Sequence, residues 1–420
     1  MTEDVLHPPI LHVGGRSYRV QGTAATTFSH LPERGEHAAG RPVARHYDDD
    51  DDADFADASG GAEPSIDESL ITQDTNGQFQ ARLSCDPEVY PMLIGKEGAK
   101  KKRLEAETGA TIVIPRKGGG GPAGGAGGGA GGDVTIRGPS KAVVASGYLR
   151  TELAMAEAVA GRLLDYNYFL SLPLATPATV RQFDAFRKAV LEDPKVCPPG
   201  SGLEPSVFMK PQHLHLTLAM LKLYSDQKRH AAAQALDRLR GRVGALLAGE
   251  PLKVHLQGLE YMNDDPSAMH VLYLKVADMG PGSRLEALCD AVVEEFGRAG
   301  LLLPQDDRKV KLHATIINTR YRKRGAEQQG GGGGGDRQAG GGGGRGRHGH
   351  QPFDRQPFDG RALLAEHGRL DLGIHTLQAV HLSQRGAYGE DGYYRCVRQL
   401  PLGPSGAATA GAGEGGADEE

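Results

Sequence analysis

The sequence predicts an α+β protein with two compact domains, and three of its features support this fold class. Short runs of alternating apolar and polar residues, typical of half-buried strands, are interleaved with longer stretches of helical periodicity. Glycine makes up 61 of the 420 residues, and much of it lies in runs that cannot form a packed core. The apolar content outside those runs suffices for two cores, so we expect folded domains interrupted by glycine-rich inserts.

Shifts in composition divide the chain into four segments. The predicted segments are an N-terminal hairpin with an acidic disordered arm (1–77), a first domain (78–162) with a Gly-rich variable loop (118–132), a second domain (165–402) with a Gly-rich insert (325–350), and a disordered tail (403–420). The hairpin is predicted from the alternation in ILHVGGRSYRVQ (10–21). The stretch HYDDDDDADFADASGGAEPSIDE (46–68) is acidic and poor in large apolar residues, which is typical of a solvated arm.

Charge and cysteine content narrow the class of protein. The net charge of −5 neither favours nor excludes nucleic acid, because much of the negative charge lies in the acidic arm. The cysteines are few and scattered and form no CxxC pair, so we expect neither a disulfide framework nor a cysteine metal knuckle. We predict no metal and no cofactor. No apolar run reaches membrane length, and the first residues lack a secretory pattern, so we expect a soluble intracellular protein without a membrane partner. The four cysteines are Cys85, Cys197, Cys289 and Cys396.

The first domain carries a glycine motif between two predicted helices. Its predicted elements are a strand (79–86), a short helix (87–95), the turn GKEG (95–98), a basic helix (99–109), two strands (110–115 and 133–138) and a long helix (140–161) with Ser140 as its N-cap. This order resembles a type I KH domain. In that family the GxxG turn brings backbone N–H groups close to four nucleotides of a single strand, which requires glycine. We therefore predict nucleic-acid contacts by Gly95, Lys96, Glu97, Gly98, Lys100 and Lys101.

Two features of this turn leave alternatives open. The basic run 100–103 supplies attraction for phosphate, but it could equally be a solvated helix face or a nuclear-import patch. Glu97 departs from the expected pattern, since a carboxylate repels phosphate, and it predicts modest affinity.

The second domain contains the same short pattern twice. PQHLHLTLAML (211–221) and KLHATIINTRYR (311–322) each hold a histidine followed two residues later by a threonine within an apolar run. We predict strands over 212–221 and 309–318. The period of two puts His215 and Thr217, together with His213, on one face of the first strand, and His313 and Thr315 on one face of the second. With 16 histidines in the chain, one such match could arise by chance, but two on separate predicted strands indicate a paired site.

The pair is similar to the sites of the two-histidine (2H) phosphoesterase superfamily. Cleavage of a phosphodiester needs a base for the attacking oxygen and an acid for the leaving oxygen, and two imidazoles can serve without a metal. We therefore predict His215 and His313 as the catalytic residues, and Thr217 and Thr315 as ligands of the non-bridging phosphate oxygens. Arg385 and Tyr388 are further candidates for phosphate or base contacts. Basic residues also surround the second motif, at 308, 309, 311, 320 and 322–324, and favour a polyanionic substrate.

The other histidines of this domain have simpler interpretations. His213, one strand step from His215, is expected to be a supporting or rim residue rather than a catalytic one. His255, His270 and His381 are expected to be structural.

The two domains in this order resemble the activating signal cointegrator 1 complex subunit 1 family. The shared stretches include GRSYRV (15–20), EYMNDDP (260–266), VLYLKV (271–276), KLHATIINT (311–319), FDGR (358–361) and HLSQRG (381–386). The resemblance implies a KH domain followed by a 2H phosphoesterase domain related to RNA ligases and cyclic phosphodiesterases. It also implies a nuclear protein that binds single-stranded RNA, associates with a helicase-containing cointegrator complex, and acts in transcription coactivation and alkylation repair.

Two hypotheses remain open at this level. In one, the protein is an active RNA phosphodiesterase, which the intact His-x-Thr motifs in both halves favour. In the other, it is an adaptor that binds RNA or protein without turnover, which the acidic arm and the hairpin favour. The sequence specifies neither the bond that is cut nor RNA over single-stranded DNA.

Overall fold

The computed structural model describes residues 66–115, 132–322 and 355–403, and the backbone of 10–13 and 16–19. The remaining segments lie outside the described residues. They include most of the acidic arm, the glycine run of the variable loop, the Gly-rich insert with the preceding Lys323 and Arg324, and the tail from residue 404. Strands β1 (Ile10–Val13) and β2 (Arg16–Arg19) pair antiparallel, as predicted for this stretch.

The first domain is an antiparallel sheet with helices packed on it. Its strands are β3 (Thr72–Gln73), β4 (Phe79–Leu83), β5 (Thr111–Val113) and β6 (Val134–Gly138), in the order β3-β4-β6-β5. Its helices are α1 (Tyr90–Ile94), α2 (Ala99–Thr108) and α3 (Lys141–Ala160). Ser140 caps α3 as predicted, because its hydroxyl accepts a hydrogen bond from the Val143 backbone N–H. Helix α3 also lies very close to the sheet at Gly147, where an added methyl group would stand 2.6 Å from the Ala110 side chain.

The second domain contains one eight-stranded sheet. Its strands are β7 (Tyr168–Pro173), β8 (His215–Leu221), β9 (Lys253–Tyr261), β10 (Val271–Asp278), β11 (His313–Asn318), β12 (Asp371–Thr376), β13 (Ala379–Tyr388) and β14 (Tyr394–Pro401). The strand order is β12-β9-β10-β11-β8-β7-β13-β14. Its helices are α4 (Pro177–Glu192), α5 (Asp226–Leu247), α6 (Arg284–Arg298) and α7 (Arg361–His367).

The sheet consists of two four-stranded halves that meet at its centre. Strands β8 and β11 are antiparallel, and their register has one residue pair, Leu216 with Ala314. These two residues are fully buried in the main hydrophobic core of the domain. The residues that alternate with them therefore face away from that core, and this face carries both histidine motifs.

The structure shifts the boundaries of both histidine strands. Strand β8 begins at His215, and His213 lies in a one-turn 3-10 helix (Pro211–His213) instead of in the strand predicted to start at 212. Pro211 opens this 3-10 helix, and the Leu214 N–H donates to the Pro211 backbone oxygen at its end, so the strand starts only after this turn. Strand β11 likewise begins at His313 and not at residue 309. The face shared by His213 and His215 in the sequence pattern therefore does not exist.

Several polar contacts fix the first domain against the second. Arg229 donates from two nitrogens to the Asp86 carboxylate at 2.7 and 3.0 Å. Lys222 donates to the backbone oxygens of Val159 and Gly161 at the end of α3, at 2.8 and 2.7 Å. The ring of Tyr224 packs into the core of the first domain. Charged and apolar contacts together thus join the two domains.

Within the described residues, no helix combines the length and the apolar character needed to cross a membrane.

Candidate functional site

The two motif histidines are held in the same tautomer by the same local device. His215 donates from Nδ1 to the backbone oxygen of His213 at 2.6 Å, and His313 donates from Nδ1 to the backbone oxygen of Lys311 at 2.7 Å. In each case the acceptor is the carbonyl two residues earlier. Because the proton sits on Nδ1, Nε2 is the nitrogen of each ring that can take or give a proton in the cleft.

The sheet register brings the two motifs together. Because β8 and β11 run antiparallel through the pair Leu216 and Ala314, His215 lies beside Thr315 and Thr217 lies beside His313. Both threonines are partly exposed on this face. The structure therefore gathers two imidazoles and two hydroxyls from distant parts of the chain into one site.

Burial makes His215 a weak base. Loss of solvent lowers the pKa of His215 from its ordinary value near 6.5 to about 4, and the nearby His313 lowers it further, while the hydrogen bond to the His213 carbonyl opposes both. The Phe169 ring covers one side of the imidazole at a centroid distance of 5.2 Å, and the Tyr394 ring meets it edge-on at 5.6 Å. His215 is consequently neutral at pH 7 in the free protein.

The surroundings of His313 are more polar. Burial also lowers the pKa of His313, and the charges of Lys311 and Arg308 lower it further. The Tyr273 ring meets the imidazole at 5.3 Å and 76°, with the Lys311 ammonium 4.5 Å from the centre of the Tyr273 ring. Tyr273 in turn donates to the buried Glu260 carboxylate at 2.7 Å. His313 is thus also neutral at pH 7, but charged groups surround it.

Arg385 and Tyr388 follow one another along β13 and reach the His215 side of the site. Arg385 donates to the backbone oxygen of Tyr166 at 3.0 Å, and its charge lowers the pKa of Tyr394, although burial raises that pKa overall. Tyr388 pairs across strands with Tyr394, and the two rings are 5.5 Å apart. Sequence reasoning missed Tyr394, Phe169 and Tyr273, although Tyr394 lies in the same stretch, YGEDGYY (388–394), as the predicted residue Tyr388.

Four other histidines of this domain have polar or aromatic partners. His255 pairs with Asp371 at 2.9 Å, and His270 lies 3.2 Å from the Thr319 hydroxyl. His381 packs edge-on against Tyr393 at 5.9 Å. His213 is buried and bonds to the β13–β14 turn at Gly392. These contacts agree with the expectation of structural or supporting roles.

The glycine turn of the first domain adopts a tight left-handed path. Gly95 and Gly98 have φ of 71° and 81°, and Glu97 between them also has a positive φ of 52°. A side chain at Gly95 would additionally stand 2.8 Å from the Lys100 Cβ. Both the backbone angle and the space therefore require glycine at this position.

A groove of about 640 Å³ lies beside this turn. Gly95, Lys96 and Lys100 line it, together with Arg162 and Leu163 from beyond α3, which sequence reasoning did not single out. Lys101 is outside the lining residues and forms an ion pair with Glu105 at 2.7 Å. Of the residues predicted to contact nucleic acid, Gly95, Lys96 and Lys100 thus line the groove, whereas Lys101 points to Glu105.

Within the described residues, no cluster of three or more histidine, cysteine, aspartate or glutamate side chains has a geometry that could hold a metal ion.

Comparisons with known proteins cover both domains. The family model described as the AKAP7 2'5' RNA ligase-like domain matches residues 166–402, and the KH domain model matches residues 80–148. The mouse (Mus musculus) protein named activating signal cointegrator 1 complex subunit 1 is 30% identical over 392 residues, which is 93% of this chain and 97% of the mouse protein. The predicted fold class, a KH domain followed by a 2H phosphoesterase domain, is confirmed.

Solved structures with distant similarity include two bacterial proteins. The apo form of E. coli LigT is 13% identical, with a TM-score of 0.33, and the match covers 57% of this chain and 98% of LigT. The Thermus thermophilus protein TT0787 is 17% identical, with a TM-score of 0.32, over 56% of this chain and 97% of that protein.

Proposed function

The chain belongs to the activating signal cointegrator 1 complex subunit 1 family, and on that premise we propose that it is an RNA-binding phosphodiesterase whose chemistry is carried by two histidines. The supporting observation is the pair of matching half-sites. Each half-site supplies one imidazole with its proton fixed on Nδ1 and one threonine hydroxyl, and the two meet across β8 and β11.

The proposed reaction uses one histidine as base and the other as acid. One Nε2 removes the proton from the attacking hydroxyl or water, and the other Nε2 gives a proton to the leaving oxygen. Thr217 and Thr315 donate to the non-bridging phosphate oxygens. The bound phosphodiester monoanion raises the pKa of the neighbouring imidazole, because a nearby negative charge favours the protonated ring. No step of this scheme requires a metal.

The KH domain is proposed to hold the single strand. The glycine turn offers backbone N–H groups, and Lys96 and Lys100 offer positive charge beside the groove. The contacts through Arg229 and Lys222 support delivery of a bound strand by a fixed neighbouring domain.

The first test combines substrates, chelator and variants. The purified full chain is incubated in excess EDTA with end-labelled single-stranded RNA, RNA ending in a 2′,3′-cyclic phosphate, and matched DNA. His215→Ala and His313→Ala run beside the wild type, and His230→Ala, at an exposed position on α5, is the matched control. We expect cleavage that resists EDTA, persists in the control, and falls at least about 100-fold in both site variants.

A non-catalytic adaptor is the alternative, and the name of the mouse relative as a complex subunit favours it. Under this alternative the wild type binds RNA without turnover, and both site variants bind equally well. Either form of the protein is proposed to work as a nuclear subunit of a helicase-containing cointegrator complex in transcription coactivation and alkylation repair. Co-purification of an ATP-dependent helicase with the tagged chain from nuclear extract, and its loss in a chain without the first 77 residues, would test the assembly.

A further inference from the structure

His213 is a buried histidine that is not one of the two motif histidines. Its side chain contacts the β13–β14 turn, whereas its backbone contacts His215. It is 5% exposed. Its Nε2 donates to the backbone oxygen of Gly392 at 2.9 Å, in the turn that joins β13 to β14. Its own backbone oxygen accepts the hydrogen bond that fixes the tautomer of His215. One residue therefore joins the β13–β14 turn to a motif imidazole.

The turn held by His213 is internally well ordered. The Gly389 N–H donates to the Tyr393 backbone oxygen, and the Tyr393 N–H donates to the Asp391 carboxylate at 2.9 Å. Gly392 has φ of 76°, so the residue that accepts from His213 occupies a position suited to glycine. The hydrogen bond from His213 fastens this ordered turn to the start of β8.

Tyr388, at the end of β13, lies flat on the His213 ring. The two rings are parallel within 5°, with centroids 4.7 Å apart. Tyr388 nevertheless remains 52% exposed, so the stack covers only part of a large aromatic surface. The Lys210 ammonium lies over the Tyr388 ring, 5.7 Å from its centre. An exposed aromatic ring with a rigid backing and a cation nearby is the arrangement that binds a nucleobase and its phosphate.

Tyr394 completes the connection to the reacting pair. Its ring lies 4.7 Å from His213, 5.5 Å from Tyr388 and 5.6 Å from His215. A base stacked on Tyr388 would thus contact a group of packed rings, those of Tyr388, His213 and Tyr394, and the Tyr394 ring also contacts the His215 imidazole. The backbone hydrogen bond through His213 provides a second route to the same imidazole.

We propose that Tyr388 is a nucleobase-stacking site and that His213 is the positioning residue that couples this site to His215. The inference rests on the proposed phosphodiesterase function and specifies its substrate, which is a nucleotide with a base beside the scissile phosphate. Base stacking fixes the ring layer, and the fixed layer holds the His215 imidazole in its reactive orientation. Part of the stacking therefore raises kcat and does not only lower KM.

The test compares two substrates that differ only in one base. One is the RNA that the wild type cleaves, and the other is the same RNA with an abasic ribose beside the scissile phosphate. We expect the wild type to prefer the intact substrate by about 5–100-fold in kcat/KM, because one stacked base contributes an effect of this size. Tyr388→Leu should lose most of this preference.

Two variants of His213 separate its two side-chain contacts. His213→Phe keeps a ring behind Tyr388 but loses the donor to Gly392, and His213→Gln keeps a donor but loses the ring. Each should reduce the preference, with kcat on the intact RNA falling towards kcat on the abasic RNA. His230→Phe, on the exposed face of α5, is the matched control and should behave as wild type. If His213 had only a structural role, its variants would lower kcat/KM for the intact and the abasic RNA equally, and the ratio of the two values would not change.

Binding measurements keep the inference separate from the proposed function. Calorimetry of the full chain with adenosine 3′-monophosphate and with ribose 3-phosphate reports base recognition even if no RNA is cleaved. Absence of turnover with tighter binding of the nucleotide, lost in Tyr388→Leu, would overturn the enzyme proposal and retain the base site. Equal binding of the two ligands, or an unchanged substrate ratio in both His213 variants, would overturn the inference.

Discussion

Each half of the second domain contributes one half-site, a histidine tethered through Nδ1 and a threonine two residues later, but the surroundings of the two half-sites differ. On the β8 side, His215 lies among the rings of Phe169 and Tyr394, and burial lowers its pKa to about 4. On the β11 side, His313 lies beside Tyr273, with the charges of Lys311 and Arg308 close by. The shared part is what proton transfer requires. Under the proposed function, the aromatic half is the part expected to recognise a base and the charged half the part expected to attract phosphate.

The strictest test of the shared device is the double substitution His215→Ala with His313→Ala. If the two imidazoles act in one concerted reaction, each single variant loses about 10²–10⁴-fold in kcat/KM, and the double variant is scarcely worse than either. Steady-state kinetics on the cleaved RNA measures all three. Losses that multiply would show that the halves act independently.

The strongly lowered pKa of His215 should appear in the pH dependence of folding stability. A histidine with a lowered folded pKa is protonated first in the unfolded chain, so stability falls as pH drops from about 6.5 to about 4. His215→Asn should remove up to about 3 kcal/mol of that loss. Thermal melting of wild type and variant across this window measures the effect, with the exposed His230→Asn as control.

His313→Asn sharpens the same comparison. Its pKa is also lowered, but the shift is smaller than at His215. The variant should flatten the pH dependence of melting less than His215→Asn does. Equal flattening by the two variants would contradict the larger pKa shift assigned to His215.

Thr217 and Thr315 should contribute equally to kcat/KM if the two half-sites are equivalent. Thr217→Val and Thr315→Val keep the side-chain shape and remove the hydroxyl that is proposed to donate to phosphate. Each is expected to lower kcat/KM by roughly tenfold, as for one lost hydrogen bond to a charged group. Thr376→Val, exposed on β12, is the matched control. A loss confined to one threonine would mean that only one half holds the phosphate.

Removal of one positive charge from the β11 half should have the smallest effect. Lys311→Met is expected to raise KM a few-fold and to lessen its salt dependence, because one phosphate attraction is lost. Titration of KM against salt concentration measures both. Lys188→Met, at an exposed position on α4, should leave the salt dependence unchanged, and an equal change there would refute a specific role for Lys311.

The arrangement of histidine and threonine within each half-site could be predicted from sequence, because it depends only on residues close together in the chain. A period of two places His215 with Thr217 and His313 with Thr315, whatever the rest of the chain does. Helix order and the glycine turn of the first domain are predictable for the same reason, since Ser140, Gly95 and Gly98 act through their neighbours.

The surroundings of the site could not be predicted, because they depend on contacts between distant segments. Tyr394 meets His215 only after β14 has joined the far end of the sheet. The sequence pattern puts His213 on the same face as His215, whereas in the structure His213 lies in a 3-10 helix and its ring stacks on Tyr388. The bond from Arg229 to Asp86 joins two domains and has no local signature.

Each half-site occupies only five consecutive residues, 213–217 and 311–315, and includes its own tether for the imidazole. The tautomer is therefore a property of a peptide segment and does not depend on a distant carboxylate. Such a segment is a portable unit for protein engineering. Two copies placed on adjacent antiparallel strands of an unrelated scaffold should form a facing pair of histidines already set in the protonation pattern that acid–base chemistry needs.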